Sequence, residues 1–162
     1  MMPIKRFDWV WMTLVTFFVD RISKAMVESY PVGYLHTVVP GFFTFVHAAN
    51  PGIAFGILAD EPNRWVTIVL AIATVGVCAL LIWLLLSGHV QKMIARVGLA
   101  LILGGALGNL YDRVLHASVT DFLYFHLGNH YWPAFNVADS VIAIGTLLVG
   151  IDLVFLSVHS ET

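Results

Sequence analysis

Polar and apolar residues do not alternate evenly along this chain; they fall in long blocks. Residues 7–27 are largely apolar after Asp8 until Asp20, Arg21 and Lys24 close the block. Residues 65–86 form an uncharged apolar run, and residues 93–111 a second apolar run whose one charge is Arg96, near its start. A fourth block, 132–158, is apolar apart from Asn136, Asp139, Ser140 and Asp152. Each block suits a helix crossing about 30 Å of hydrocarbon, which takes about 20 residues. Between the first two blocks lie Pro31, Gly33, Pro40, Gly41, Pro51 and Gly52, which break helices. Gly41 to His47 is rich in β-formers and predicts a short strand. The expected architecture is therefore mainly α: four transmembrane helices, one domain over 1–162, and a small extracytoplasmic β element between helices 1 and 2. Segments 28–64 and 112–131 would lie outside the cytoplasm, with 116–131 read as a loop.

Composition agrees with this pattern. Of 162 residues, 59% are hydrophobic and 11% charged, with a mean hydropathy of +0.87. Soluble domains carry about 25% charged residues. The net charge of −2 provides no basic footprint for nucleic acid. The single cysteine, Cys78, excludes an intrachain disulfide and reads as a small core residue. The first block follows Lys5 and Arg6 as a signal peptide would, but no small-x-small cleavage site follows, so it reads as a retained helix. Four spans put both termini on one side. Lys5, Arg6, Lys92 and Arg96 fall on that side, against Arg21, Lys24, Arg64 and Arg113 on the other. Acids near Arg21, Lys24 and Arg113 discount those three, so the termini are expected in the cytoplasm.

Acids inside greasy segments are functional candidates, because a carboxylate at the centre of a bilayer costs about 2.5–3.5 kcal/mol on insertion scales. Asn109-Leu-Tyr-Asp112-Arg113 and Asn136-Val-Ala-Asp139-Ser140 share a form. On helices, each gathers an amide, a carboxylate and a further polar group on one stripe. The plain alternative is polar glue between helices, with Arg113 as the counter-ion of Asp112. Asp121, in the aromatic stretch Val119–Phe125, is expected to pack over the outer end of the fourth helix, with Asp139 about two turns in. Two carboxylates brought together share a proton and can act as base and acid on water and a carbonyl. Asp20 and Lys24, four apart, read as a salt bridge or as a polar anchor around the site; Asn50-Pro51-Gly52 reads as a turn that can aim Asn50 inward. His126 and His130 have ligand-like spacing, but no glutamate completes a metal motif. Nothing in the spacing of Ser23, Lys24 and Ser140 supports a Ser-Lys hydrolase. Asp152 would meet solvent or Lys92 or Arg96.

Five motifs in order resemble the bacterial lipoprotein signal peptidase family, signal peptidase II: Asp20 to Lys24, Asn50-Pro-Gly-Ile-Ala-Phe55, Gly104-Gly-Ala-Leu-Gly-Asn-Leu-Tyr-Asp-Arg113, Val119-Thr-Asp-Phe122 and Pro133-Ala-Phe-Asn-Val-Ala-Asp-Ser140. The resemblance implies an inner-membrane aspartic endopeptidase that cleaves prolipoproteins before a diacylglyceryl-modified cysteine. It places the catalytic pair on Asp121 and Asp139. It makes Asp20, Lys24, Asn50, Gly52, Asn109, Asp112, Arg113, Asn136 and Ala138 site-lining or supporting. It implies no metal and no cofactor, membrane lipids as surroundings, and a monomer. Arg21 departs from the family pattern, where an uncharged polar residue such as Gln is expected. The rival readings are a small proton- or ion-coupled transporter using Asp139 and a non-enzymatic membrane scaffold.

Overall fold

The computed structural model describes residues 8–52, 64–128 and 130–156. Lys5, Arg6, Phe7, Ile53 to Phe55, Asn129 and the last residues of the predicted fourth span lie outside them. In chain order the elements are α1 (Asp8–Glu28), β1 (Leu35–Val39), β2 (Phe43–Asn50), α2 (Arg64–Ser87), α3 (Met93–His116), β3 (Val119–Leu127), β4 (His130–Tyr131) and α4 (Val137–Ile151). A π-helical turn, Asp152–Leu156, continues α4.

Three helical stretches are long and apolar enough to span a membrane: Arg64–Ser87, Met93–His116 and Val137–Val154. α1 is not among them, because Asp8, Asp20, Arg21, Lys24 and Glu28 interrupt it. α3 is the central and most buried helix, whereas α2 is mostly exposed and few residues of the α4 stretch are fully buried. Their exposed faces carry Val69, Ile72, Val75 and Leu147, which water would not favour.

Small residues let α1 and α4 close on α3. A Cβ on Gly105 would sit 2.6 Å from the Ala138 carbonyl of α4. One on Gly104 would sit 2.8 Å from the Thr13 carbonyl of α1, and one on Gly108 would run into the Asp20 carboxylate. The small-residue surface around Gly104, Gly105 and Gly108 therefore serves two neighbours at once. Asp20 cannot give way, being held by Lys24 and the Ala138 amide. Gly108→Ala is expected to cost about 1–3 kcal/mol by overpacking. Gly76→Ala, where the added methyl meets nothing within 4 Å, should be neutral or slightly stabilising. Thermal unfolding in detergent compares the two.

The β element is larger than expected. It is an antiparallel sheet in the order β1-β2-β3-β4, and its second half comes from the segment read as a loop. The strand predicted at Gly41–His47 is β2, starting at Phe43 and joined to β1 through Gly41 at φ 76°. β3 pairs with it through Ala48↔Asp121 and Asn50↔Val119. Stacked Phe43 and Phe125 rings, 4.8 Å apart, support the pairing.

The third and fourth spans also differ from their predicted bounds. α3 runs on to His116, so Asp112 is helical, and Ala117 ends the helix in a left-handed conformation (φ 57°). α4 begins at Val137 rather than Trp132. Pro133 lacks an amide hydrogen, Phe135 bridges to Leu123 of β3, and Asn136 caps the helix.

Candidate active site

Asp139 is therefore in the first turn of α4, not two turns in, and Asn136 is its cap rather than a member of a helical stripe. The two form a capping box. Asn136 Oδ1 accepts from the Asp139 amide at 2.9 Å, and Asp139 Oδ2 accepts from the Asn136 amide at 3.3 Å. A carboxylate at a helix N-terminus is also favoured by the helix dipole.

Asn136 holds Asp121 as well. Its Nδ2 donates to Asp121 Oδ1 at 2.7 Å, while Asn50 Nδ2 donates to Asp121 Oδ2 at 2.9 Å. The β2–β3 register explains Asn50: it lies diagonally across from Asp121, two residues from the directly paired Ala48. Asn50 Oδ1 accepts from the Gly52 amide, which fixes which way the Asn50 amide faces. Gly52 is at φ 124°, where other residues are strained, and a Cβ there would strike Leu70. On the other side, Asn109 Nδ2 donates to Asp139 Oδ1 at 2.8 Å. Both aspartates line one cleft of about 240 Å³ with Asn50, Gly52, Asn109 and Arg113.

Beneath the cleft lies a buried ionic layer. Lys24 is fully buried, and its ammonium meets Asp20 Oδ2 at 2.9 Å, Asp112 Oδ2 at 2.9 Å and Asn109 Oδ1 at 2.8 Å. Its three donors match three acceptors. Asp20 Oδ1 accepts from the Ala138 amide at 2.9 Å, so the anchor reading of Asp20 and Lys24 extends to α4. Asp112 is paired with Lys24 and with Arg21, not with Arg113 as expected. Arg113, one residue further round the helix, turns toward the cleft. Its Nη1 donates to the Asn109 carbonyl at 3.4 Å, and its Nε is buried without a hydrogen-bond partner among the described residues.

The burial of Asp121 pushes its carboxyl up to about 6. The donated amide of Asn50 opposes this, and the Asp139 charge adds to it.

Sequence reasoning left out the inner wall of the cleft, Trp132 to Phe135. Pro133, three residues before the cap, was the available signal. It also missed Glu28 and Thr120, whose hydroxyl donates to Glu28 Oε1 at 3.0 Å. Asp152 meets Lys92 at 3.7 Å, as one of the two expected partners. His126 bonds Thr44 and packs against Tyr124 and Tyr131.

The fold and site define a small membrane protein with paired carboxylates at the head of a helix bundle. A family model described as signal peptidase (SPase) II matches residues 12–155. The lipoprotein signal peptidase of Aeromonas hydrophila is 42% identical over 147 residues, covering 89% of this chain and 86% of that protein. That of Solibacter usitatus is 42% identical over 159 residues, covering 94% and 93%. That of Pseudomonas putida is 40% identical over 160 residues, covering 96% and 91%. A solved bacterial membrane enzyme superposes with a TM-score of 0.78 at 27% identity, over 95% of this chain and 90% of that one. The chain belongs to the signal peptidase II family, and it is a peptidase. Neither the transporter nor the scaffold reading gains support.

Proposed function

We propose that this peptidase is an aspartic endopeptidase in which Asp121 and Asp139 share one proton and direct a water molecule onto a peptide carbonyl. The observation that carries the reading is Asn136: one residue bonds both carboxylates and fixes them in a single cleft.

One carboxylate takes a proton from water as the oxygen attacks the carbonyl carbon. The other gives its proton to the carbonyl oxygen. The tetrahedral diol then collapses, the C–N bond breaks, and a proton passes to the departing amine. The asparagine amides donate to carboxylate oxygens throughout, so neither acid can turn away. No residue here requires a metal or cofactor for this step.

The substrates would be diacylglyceryl-modified prolipoproteins, as the names of the relatives suggest. Two acyl chains hold such a precursor at the bilayer surface. The cleft suits that depth, since it lies at the head of α4 beside a sheet whose strands and flanking residues expose Phe42, Leu127, Tyr131 and Trp132. Aromatic residues favour the interface. α1 would be the fourth span: Asp20 and Lys24 are buried and Arg21 turns to Asp112, while Trp11, Val15, Phe18 and Ile22 face outward. Cytoplasmic termini in a bacterial inner membrane, with the cleft on the far side, complete the placement. The site is assembled from a single chain, in keeping with a monomer. Incubating the purified protein with a diacylated precursor and its unlipidated twin tests the function. Cleavage before the cysteine of the lipidated precursor alone is expected; equal cleavage of both, or of neither, would refute it.

The raised Asp121 carboxyl sets a pH dependence. With rising pH the pair loses its shared proton, so kcat/KM should fall as pH rises through about 6. Bound peptide expels water, so the alkaline limb of kcat should lie higher. The sign for stability is the same. Between the ordinary value of 3.8 and about 6, the folded protein keeps a proton that the unfolded chain has released, so stability falls as pH rises across that window. A pH-rate profile and melting curves of the parent and Asp121→Asn check both.

A further inference from the structure

Arg21 takes no part in the proposed chemistry, yet its side chain is largely buried and tightly held. Its guanidinium bonds Asp112 Oδ1, approaches both Glu28 oxygens at 3.4 Å, and lies 4.4 Å from the centre of the Tyr111 ring. Both of its carboxylate partners grip the same residue of β3. Asp112 Oδ2 accepts from the Thr120 amide at 3.3 Å, and Glu28 Oε1 accepts from the Thr120 hydroxyl at 3.0 Å. Thr120 immediately precedes Asp121. The second oxygen of Asp112 also binds Lys24, which orients Asn109, whose amide donates to Asp139.

We infer that Arg21 is a positioning residue for the cleft: it fixes the two carboxylates that clamp Thr120 beneath Asp121, and through Asp112, Lys24 and Asn109 it also orders Asp139. The inference rests on the proposed two-carboxylate reaction. Arg21 suits the task because a planar guanidinium can meet two carboxylates and an aromatic face at once. Without it, Glu28 would lose its cation and Asp112 would keep only Lys24, which is already shared with Asp20. Ligand atoms, one each from Glu28, Asp112 and exposed His116, lie within 4.8 Å of one another, and the guanidinium brings positive charge to the two carboxylates from within the chain.

The titratable and charged groups around Arg21 are Asp20, Lys24 and Glu28 from α1, Asp112, Arg113 and His116 from α3, Asp121 from β3 and Asp139 from α4. Removing Arg21 takes one positive charge from their surroundings. The proton shared by Asp121 and Asp139 is then held more tightly, and the alkaline limb moves to higher pH.

The test compares Arg21→Gln and Arg21→Lys with the parent, using cleavage of a diacylated precursor peptide in detergent and melting curves for folded protein. Arg21→Gln is expected to lose about 10- to 100-fold in kcat through misplacement of the acids, with KM within about threefold. Its alkaline limb should rise by about half a pH unit or more. Arg21→Lys should return the limb to the parent's position but recover only part of kcat, because an ammonium cannot bridge both carboxylates as a fork does. An Arg21→Gln protein with the parent's kcat and pH profile would overturn the inference. So would equal losses in both variants that track lost folded protein with no movement of the limb. An inactive parent would instead sink the reaction on which the inference rests.

Discussion

Asp139→Asn is expected to leave a folded protein that cleaves lipidated precursor about 10³- to 10⁴-fold more slowly. General acid–base chemistry contributes about 10²–10⁴-fold, and here the same pair supplies both the base and the acid. Folding should survive, because an asparagine at position 139 keeps an oxygen to accept from the Asn136 amide in the capping box. Asp121→Asn should behave alike: its oxygen can still accept from one amide, of Asn50 or Asn136. Asp112→Asn should differ in kind. Asp112 is fully buried between Arg21 and Lys24, so removing its charge takes a carboxylate from each of two cations and leaves them only Glu28 and Asp20. Lost activity there should come with lost folded protein. Melting curves alongside precursor cleavage separate the two outcomes. A folded, inactive Asp112→Asn would move that residue into the reaction itself.

The largest effect on stability is expected at Lys24. Lys24→Met removes the ammonium shared by Asp20, Asp112 and Asn109, and no solvent reaches the site to replace it. Breaking a buried pair by deleting one partner costs about 3–5 kcal/mol, here with two carboxylates affected. The melting temperature should fall by about 10 °C or more. Lys92→Met is the control. The Lys92–Asp152 pair is wider, at 3.7 Å, and the lysine side chain is 43% exposed, so the loss should stay below about 1 kcal/mol. Similar melting temperatures for the two variants would mean that the buried ionic layer does not hold the helices together.

These outcomes bear on what the amino-acid order reveals. Long apolar blocks locate α2, α3 and α4 because period and length alone identify them. The acids stood out because charge is rare in such blocks. The start of α4 was less legible. Trp132 to Phe135 are as apolar as a helix, and only Pro133 and the Asn136–Asp139 spacing mark the boundary. β3 was hidden for another reason: its partner strand lies some 70 residues earlier, and pairing at that range leaves little local trace. The partner of Asp112 was misread because adjacency favoured Arg113. Helix geometry turns neighbouring positions about 100° apart, and the cations that reach Asp112 come instead from α1. Arg21 was visible as a departure from the family pattern, but its purpose depends on Glu28 and Thr120, which no short motif connects to it.

The central claim is that Asp121 and Asp139 act as one unit. The most direct measurement is kcat for Asp121→Asn, Asp139→Asn and the double variant on the same diacylated precursor, each shown to be folded. If the acids share a proton and a water, either single change removes the machinery, and the double variant should be no slower than the singles. Losses that multiply in the double variant, or near-normal processing by either single, would contradict it.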